Sequence, residues 1–291
     1  MPRPSTSPAS VLDDLAPGAL AGVRLVVSDL DGTLLSPDRT LPAGTGELVG
    51  ELRAAGLTFV PASGRAYASQ AELFSGVPLI ETFIADNGAV LVENGDARAT
   101  GTLDSTLVRE LVGAVRDYAR THDRRSTAVV CGVEHAWVEI DGDLWDEALN
   151  YHPTLTRVDR LEDVTEPVIK VAIVDLESTE AVDRDVLRPL AERAQVTRSG
   201  THWADVTALG VTKGQALRHV QARLGVGPDE TAVFGDHLND IEMFGEATHS
   251  FAVAHAQPEI AEVARHHLPD VAEPVQAVMR RILDDVAGAA Q

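Results

Sequence analysis

Two aspartates stand two positions apart in the segment from Asp29 to Thr33, which reads Asp-Leu-Asp-Gly-Thr. They directly follow Val23 to Ser28, a short apolar and β-branched run that predicts a strand buried on both faces. The glycine after the second aspartate allows the backbone to turn sharply. Carboxylates placed in this way can bind a metal ion, transfer protons or form a covalent intermediate. A lone aspartate after a strand more often caps a helix or belongs to a polar loop.

Three further segments agree with the first and favour a functional site. Ser63 lies in Ala-Ser-Gly-Arg after a second apolar run, and Lys213 opens a predicted helix in Thr-Lys-Gly. The segment from Gly235 to Asp240 reads Gly-Asp-His-Leu-Asn-Asp and follows a third apolar run. A serine or a lysine alone would be an N-cap or a surface residue, but their order along the chain with the aspartates indicates a shared site.

The elements that must position these residues alternate between strand and helix. From residue 23 to 85, and again after Thr212, apolar runs of strand length alternate with helical patterns, which predicts an α/β fold with a parallel sheet covered by helices. Ligands of such sheets bind beyond the carboxyl ends of the strands. We therefore expect the four segments to meet at that edge.

The pattern changes between residues 89 and 208, where strands and helices are mixed and Asn94-Gly95 indicates a hairpin turn. We interpret 89–208 as an inserted α+β domain, and 21–88 with 209–291 as the main domain. Residues 1–20 are rich in Pro, Ser and Ala and are expected to be a mobile extension.

Composition limits the possible partners and compartment. A formal net charge of −21 over 291 residues should repel polyanions, so nucleic acid is not expected as a partner. The lone Cys131 cannot form an internal disulfide, which favours a reducing compartment for the protein. We expect the Cys131 side chain to be buried in the fold. The chain shows neither a signal-peptide pattern nor eighteen consecutive apolar residues, so a cytoplasmic protein without a membrane span is expected.

The four segments resemble, in order, the four motifs of the haloacid dehalogenase-like (HAD) phosphatases. The resemblance covers about residues 23–286, and the long insertion is similar to the α/β cap (C2B type) of the Cof-type, sugar-phosphatase-like branch. It implies a Rossmann-like core, an inserted cap that selects the substrate, one Mg²⁺ ion and an aspartyl-phosphate intermediate.

The resemblance also implies a role for each motif residue. Asp29 would be the nucleophile and Asp31 the general acid and base. Asp29, Asp236 and the main-chain carbonyl of Asp31 would bind Mg²⁺. The remaining positions would hold the phosphate or support the site: Ser63, Lys213 and Asn239 as phosphate-binding residues, with Asp240, Arg65 and Gly64 as secondary candidates.

The expected function is hydrolysis of a small phosphate monoester, such as a sugar phosphate or a phosphorylated cofactor. A phosphomutase acting on sugar phosphates and a non-catalytic ligand-binding regulatory module are the alternatives, and monomer and homodimer both stay open. His255 stands where relatives often carry asparagine, so the contact made by that asparagine is in doubt. We expect Trp137, Trp145 and Trp203 to pack in a core or at a domain interface rather than to line the substrate pocket.

Overall fold

A computed structural model describes residues 15–77, 80–198, 201–270 and 273–289, without the side chain of Asn150. These residues form two compact units. Unit 1 contains the described residues up to Ser63, Leu73–Phe83 and those from Lys213 onward. Unit 2 contains Gly64–Glu72 and Ile84–Thr212.

Unit 1 is built around a five-stranded parallel sheet in the order β14-β13-β12-β1-β2. The first strand, β1, pairs on one side with β12 and on the other with β2, and all four of its residues are buried. The predicted α/β class and parallel sheet are confirmed. The strands of this sheet are β1 (Leu25–Ser28), β2 (Thr58–Pro61), β12 (Thr231–Gly235), β13 (His249–Ala252) and β14 (His266–His267).

Helices connect these parallel strands, because a parallel pair cannot be joined by a tight turn. The connection from β1 to β2 passes through α1, which buries Leu48, Val49 and Leu52. The helices outside the inserted segment are α1 (Thr45–Ala54), α6 (Lys213–Leu224), α7 (Ile241–Gly245), α8 (Pro258–Val263) and α9 (Pro274–Ala289), while α2 (Tyr67–Leu73) contributes its last residue to unit 1.

The segment before β1 contacts helix α9. Leu15 and Leu20 are buried, and the Asp285 carboxylate accepts hydrogen bonds from the Gly18 and Leu20 amides at 3.2 and 3.0 Å. Arg281 donates to the Leu15 carbonyl at 3.0 Å. Residues 15–20 of the expected mobile extension are therefore held by hydrogen bonds and apolar burial, and residues 1–14 lie outside the described part.

Unit 2 has a six-stranded sheet in the order β10-β11-β9-β6-β7-β8, in which only β7 and β8 pair in parallel among the described pairings. A three-stranded sheet, β3-β4-β5, contains the predicted hairpin at Asn94-Gly95, and the boundary between the two units falls within β3, after Phe83. The strands are β3 (Thr82–Ala85), β4 (Val90–Glu93), β5 (Asp96–Ala99), β6 (Ser126–Cys131), β7 (Ala136–Val138), β8 (Leu155–Arg157), β9 (Lys170–Asp175), β10 (Gln195–Arg198) and β11 (Trp203–Thr207).

The long helix α3 (Ser105–Thr121) covers one face of this sheet. Asp104 caps it by accepting hydrogen bonds from the amides of Thr106 and Leu107. Its apolar stripe, which includes Leu111 and Val115, joins the hydrophobic cluster of the unit. Two shorter helices follow, α4 (Asp143–Tyr151) and α5 (Thr179–Val182).

The inserted segment departs from the sequence prediction in one helix. The sequence pattern predicts a single helix from about Thr179 to Ala194, but α5 ends at Val182 and is followed by a wide turn, Asp183–Leu187, and a tight turn, Arg188–Leu190. The junction residues Asp183 and Arg188 keep right-handed helical backbone angles, so the segment retains a helical path while its hydrogen-bond pattern changes. Across the described ranges, we find no helix that is both long and apolar enough to span a membrane.

Candidate active site

The sheet of unit 1 fixes the position of Asp29. The Asp29 amide donates to the Phe234 carbonyl of β12 at 3.0 Å, and the Ser28 hydroxyl donates to the Asp29 carbonyl at 2.7 Å. The Asp29 side chain is 8% exposed. The carboxylate therefore lies at the carboxyl end of β1, the edge at which parallel sheets bind ligands.

One wide turn, Leu30–Leu34, carries the chain away from that edge. Gly32 adopts φ +83°, and a Cβ atom there would lie 2.5 Å from Asp236 Oδ2. Only glycine fits both this conformation and this approach. The Thr33 hydroxyl donates to Asp236 Oδ1 at 2.9 Å. The role of Thr33 was not predicted, although its place directly after the glycine could have suggested it.

Lys213 lies fully buried at the start of α6. Its Nζ donates to Asp29 Oδ1 at 2.5 Å and to Asp240 Oδ1 at 2.8 Å. Burial alone would lower the pKa of this ammonium group, but Asp240 and Asp29 outweigh burial and raise it. The lysine therefore supplies a fixed positive charge beside Asp29.

Asp240 and Asp236 have different surroundings. Asp240 Oδ2 accepts the amides of Asp236 and His237 at 3.1 and 3.2 Å, and Oδ1 accepts from Lys213. Both of its oxygens thus orient the segment after β12. Asp236 is half-buried, and its Oδ2 faces Gly32. This difference favours Asp236 over Asp240 as a direct metal ligand.

The electrostatics of the cluster disfavour three ionised carboxylates. Burial raises the pKa of Asp29. Lys213 lowers this pKa, whereas the neighbouring carboxylates of Asp240 and Asp236 raise it further. Burial and Asp240 likewise raise the pKa of Asp236, against the hydrogen bond from Thr33. One lysine beside three carboxylates leaves two negative charges uncompensated when all are ionised.

These donors fit a divalent cation with a preference for oxygen ligands. Carboxylate oxygens of Asp29, Asp236 and Asp240 all lie within 4.8 Å of one another. Mg²⁺ is usually bound by one or two carboxylates with several waters. Because the Asp240 oxygens are already engaged, Asp29 and Asp236 are the side chains that fit as ligands. The predicted use of the Asp31 carbonyl stays a prediction.

The other predicted residues of unit 1 lie close to this cluster along the sheet or chain. Ser63 is buried just after β2, whose last residue, Pro61, is in register with Ser28 of β1. Asn239 lies in the turn Leu238–Asp240. Asp31 is half-buried in the turn that follows Asp29. The structure thus brings Asp29, Lys213, Asp236 and Asp240 into one cluster, while the remaining three lie after strands of the same sheet and their roles stay predictions.

Gly64 and Arg65, the other two secondary candidates, belong to unit 2. A Cβ atom on Gly64 would lie 3.2 Å from the Asn87 amide. The Arg65 carbonyl accepts hydrogen bonds from the Asp86 amide at 3.0 Å and from Gln70 Nε2 at 3.1 Å. These are local packing contacts, and a phosphate-binding role for either residue stays a prediction.

Unit 2 contains a second buried charged cluster that the sequence analysis missed. Lys170 is 2% exposed and lies 2.6 Å from Asp86 Oδ1 and 3.6 Å from Asp205 Oδ1. Asn87 Nδ2 donates to Asp205 Oδ2 at 2.7 Å. Asp86, Asn87 and Gly88 have φ values of +49°, +56° and +92°. Two anions thus share one cation in a buried place, next to a stretch of backbone with positive φ.

Two of the three tryptophans pack within unit 2, as expected. Trp203 is buried, donates from Nε1 to Glu147 at 2.9 Å, and has its ring centroid 4.6 Å from that of Tyr151. Trp137 packs against the hydrophobic cluster, and Trp145 is half-buried on α4. The expected burial of Cys131 is confirmed, and burial raises the pKa of its thiol to about 12.

Comparison with known proteins agrees with this geometry. A model of the family described as haloacid dehalogenase-like hydrolase matches residues 26–282. The 5-amino-6-(5-phospho-D-ribitylamino)uracil phosphatase YbjI of Escherichia coli is 26% identical over 84% of this chain and 90% of its own length. The phosphoglycolate phosphatase of Halorubrum lacusprofundi is 29% identical over 81% of this chain and 86% of its own.

The fold comparison points the same way. The solved structure of a sugar phosphatase of HAD subclass IIB superposes with a TM-score of 0.75 at 22% identity. The superposition covers 90% of this chain and 100% of that structure. At this identity the likeness concerns the fold.

Proposed function

The chain is a phosphatase of the haloacid dehalogenase-like hydrolase family, and we propose that it hydrolyses small phosphate monoesters through a phosphorylated Asp29. The observation that carries this proposal is the buried Asp29 carboxylate, held by Lys213 in a cluster with Asp236. The fixed strand-end position means that little reorganisation is needed for an in-line attack on phosphorus.

Each half-reaction needs a proton at a defined place. In the first, an Asp29 oxygen forms a bond to phosphorus while the bond to the ester oxygen breaks, and Asp31 donates a proton to that oxygen. In the second, Asp31 removes a proton from a water that attacks the phosphorus of the aspartyl phosphate, while the bond from phosphorus to the Asp29 oxygen breaks, which releases inorganic phosphate and restores the Asp29 carboxylate. The half-buried position of Asp31, two residues after the nucleophile, supports this assignment.

Charge on the transferring phosphoryl group has to be stabilised by donors that are already in place. We assign this role to the Lys213 ammonium group, the Ser63 hydroxyl and Asn239. Lys213 is fully buried and stays protonated, so its charge is not screened by water. A bound Mg²⁺ ion, held by Asp29, Asp236 and the Asp31 carbonyl, would add positive charge that keeps Asp29 ionised and neutralises phosphate oxygens.

We further propose that residues 89–208 form the domain that selects the ester. The relatives named above act on a ribitylamino-uracil phosphate and on phosphoglycolate, which are both small phosphate esters. Their chemistry supports a small phosphorylated metabolite, such as a sugar phosphate or a phosphorylated cofactor, as the substrate of this chain.

Asp29→Asn and Asp31→Asn test the mechanism with p-nitrophenyl phosphate and a panel of sugar phosphates. Asp29→Asn should lower kcat at least about 10³-fold because the nucleophile is lost. The p-nitrophenolate leaving group needs no proton, so Asp31→Asn should still phosphorylate Asp29 and then release phosphate slowly. Mass spectrometry after an acid quench should detect one phosphoryl group on Asp31→Asn protein, and chelation of Mg²⁺ should suppress turnover of the unaltered chain.

Asp38→Asn, an exposed change in the same unit, is the matched control and should keep full activity. Unchanged turnover by Asp29→Asn would refute the covalent mechanism. Formation of an isomeric sugar phosphate without free phosphate would show that the chain is a mutase.

A further inference from the structure

The segment that follows β13, from Val253 to Gln257, contacts both chain segments that supply the predicted metal ligands. The Gln257 amide donates to the Asp236 carbonyl at 2.8 Å, and the Val253 amide donates to the Gly235 carbonyl at 3.4 Å. On the other side, His255 Nε2 lies 2.7 Å from the Gly32 carbonyl oxygen. A carbonyl only accepts, so the His255 ring carries its proton on Nε2 in this contact.

The Gly32 carbonyl belongs to a peptide with unusual conformational freedom. Gly32 has φ +83°. A glycine that loses a hydrogen bond to its carbonyl can adopt more backbone conformations than any other residue. Asp31 lies directly before it, and the Asp29 amide on the other side of Asp31 is fixed to Phe234. His255 therefore fixes one end of the short segment that contains Asp31, and β12 fixes the other.

We propose that His255 is a positioning residue that holds the Asp31-Gly32 turn in the shape required by the metal ion and by proton transfer. The inference rests on the proposed function for the roles of Asp31. Thr33 ties the same turn to Asp236 through its side chain, one residue further along. The histidine thus complements Thr33 by fixing the main chain next to Asp31.

The exposure of His255 makes it suitable for substitution. The ring is at the surface, so its replacement leaves no buried cavity. His255→Phe retains the ring shape without a donor. His255→Gln retains a donor nitrogen, Nε2, at the same number of bonds from Cβ. His219, an exposed histidine on α6 in the same unit, gives the matched control His219→Phe.

The test measures kcat and KM for p-nitrophenyl phosphate, together with the MgCl₂ concentration that gives half of the maximal rise in Tm without substrate. For His255→Phe we expect kcat to fall about fivefold and the half-saturating MgCl₂ concentration to rise about fivefold, as for the loss of one hydrogen bond. KM should stay nearly constant, because Lys213 and Ser63 are the assigned phosphate donors. His255→Gln should recover most of both losses, and His219→Phe should match the unaltered chain.

Unchanged kcat and MgCl₂ dependence in His255→Phe would overturn the inference, as would failure of His255→Gln to recover either quantity. A lower Tm with unchanged MgCl₂ dependence would show a merely structural role and would also overturn it. If the unaltered chain binds MgCl₂ but hydrolyses no ester, the proposed function fails while the thermal titration still decides the role of His255. Absence of any MgCl₂ effect on the unaltered chain would reject both.

Discussion

At the scale of single residues, the short distance between Gly32 and the Asp236 carboxylate limits which side chains the site can contain. Asp236 is oriented by the Thr33 hydroxyl on one oxygen, and its other oxygen faces the Cα atom of Gly32. Asp240 uses both oxygens to order the backbone and Lys213. Two aspartates of similar sequence context therefore have different surroundings: Asp240 orders the backbone and Lys213, whereas Asp236 fits the proposed metal site.

Gly32→Ala should abolish most of the phosphatase activity. A methyl group at 2.5 Å from Asp236 Oδ2 must displace that carboxylate or the turn, so we expect kcat to fall at least about 10²-fold. Gly56→Ala is the matched control, since Gly56 has φ +81° and a methyl group placed there would have no neighbour within 4 Å. Both variants should lose about 1 kcal/mol of unfolding free energy from the left-handed backbone alone.

Comparison of the two variants separates steric contact from backbone strain. If Gly56→Ala and Gly32→Ala keep the same kcat in steady-state assays, the close approach of Gly32 to Asp236 has no importance for turnover.

At the scale of helices and strands, the C-terminal helix α9 fixes the segment that precedes β1. Asp285 accepts two amide hydrogen bonds from that segment and a bond from Arg281 at 2.8 Å. Burial opposes ionisation, but these hydrogen bonds outweigh it and lower the pKa of Asp285 below 3.8. The segment that leads into β1 is therefore held in place by the Asp285 carboxylate of α9.

Asp285→Asn should lower the unfolding free energy by about 2 kcal/mol at neutral pH, because charge-assisted hydrogen bonds are lost. A folded pKa below the unfolded value means that this stability is present above about pH 4 and is lost as pH falls through the folded pKa. Urea unfolding between pH 7 and pH 3 should thus show a smaller acid dependence for Asp285→Asn. The exposed neighbour gives the control Asp284→Asn, and equal acid dependence in the two variants would contradict the assignment.

The parallel sheet and its long helices could be predicted from the sequence because their patterns are local and strong. The apolar runs 23–28, 57–61 and 231–234 predict strands and match β1, β2 and β12 within a few residues, and the helical pattern from Lys213 to Leu224 predicts a helix with the observed bounds. The antiparallel sheet was harder. Trp203–Thr207 is buried along its whole length but contains polar residues, because Asp205 belongs to the buried charged cluster, and it therefore lacks the continuous apolar run expected of a fully buried strand.

In the candidate site, the grouping of motif residues could also be predicted from the sequence, whereas a long-range main-chain contact could not. Motif residues predicted the grouping of Asp29, Lys213 and Asp236, which meet at one strand edge. The contact of His255 with Gly32 joins residues more than two hundred positions apart through a main-chain carbonyl. Such a contact depends on how two loops are placed, and the identities of the two residues carry no pattern that predicts it.

At the scale of the whole chain, acidic charge opposes the approach of an anionic substrate. The net charge is −21, while the site itself contains a buried lysine and the predicted cation ligands. Repulsion over the surface acts at long range, whereas attraction by Lys213 acts at contact. The two can be separated with salt, because screening lengths shrink from about 30 Å at 0.01 M to about 8 Å at 0.15 M ionic strength.

Added NaCl should therefore raise kcat/KM for a dianionic ester over this range, by about twofold, when the MgCl₂ concentration is held at saturation. Stopped-time phosphate release at low substrate concentration measures this ratio directly. A choline salt at the same ionic strength is the control for specific effects of sodium. A steep fall of kcat/KM with either salt would indicate that attraction, not repulsion, dominates the encounter.

The three successive residues Asp86, Asn87 and Gly88 all have positive φ, and this restricts how the chain can vary. Side chains branched at Cβ are poorly tolerated in this conformation, and aspartate and asparagine are among the few residues other than glycine that adopt it readily. Asp86 and Asn87 must in addition match Lys170 and Asp205. Few residue types can therefore replace these three residues. A substitution of Asp86 or Asn87 calls for a compensating substitution on strand β9 or β11, which carry Lys170 and Asp205.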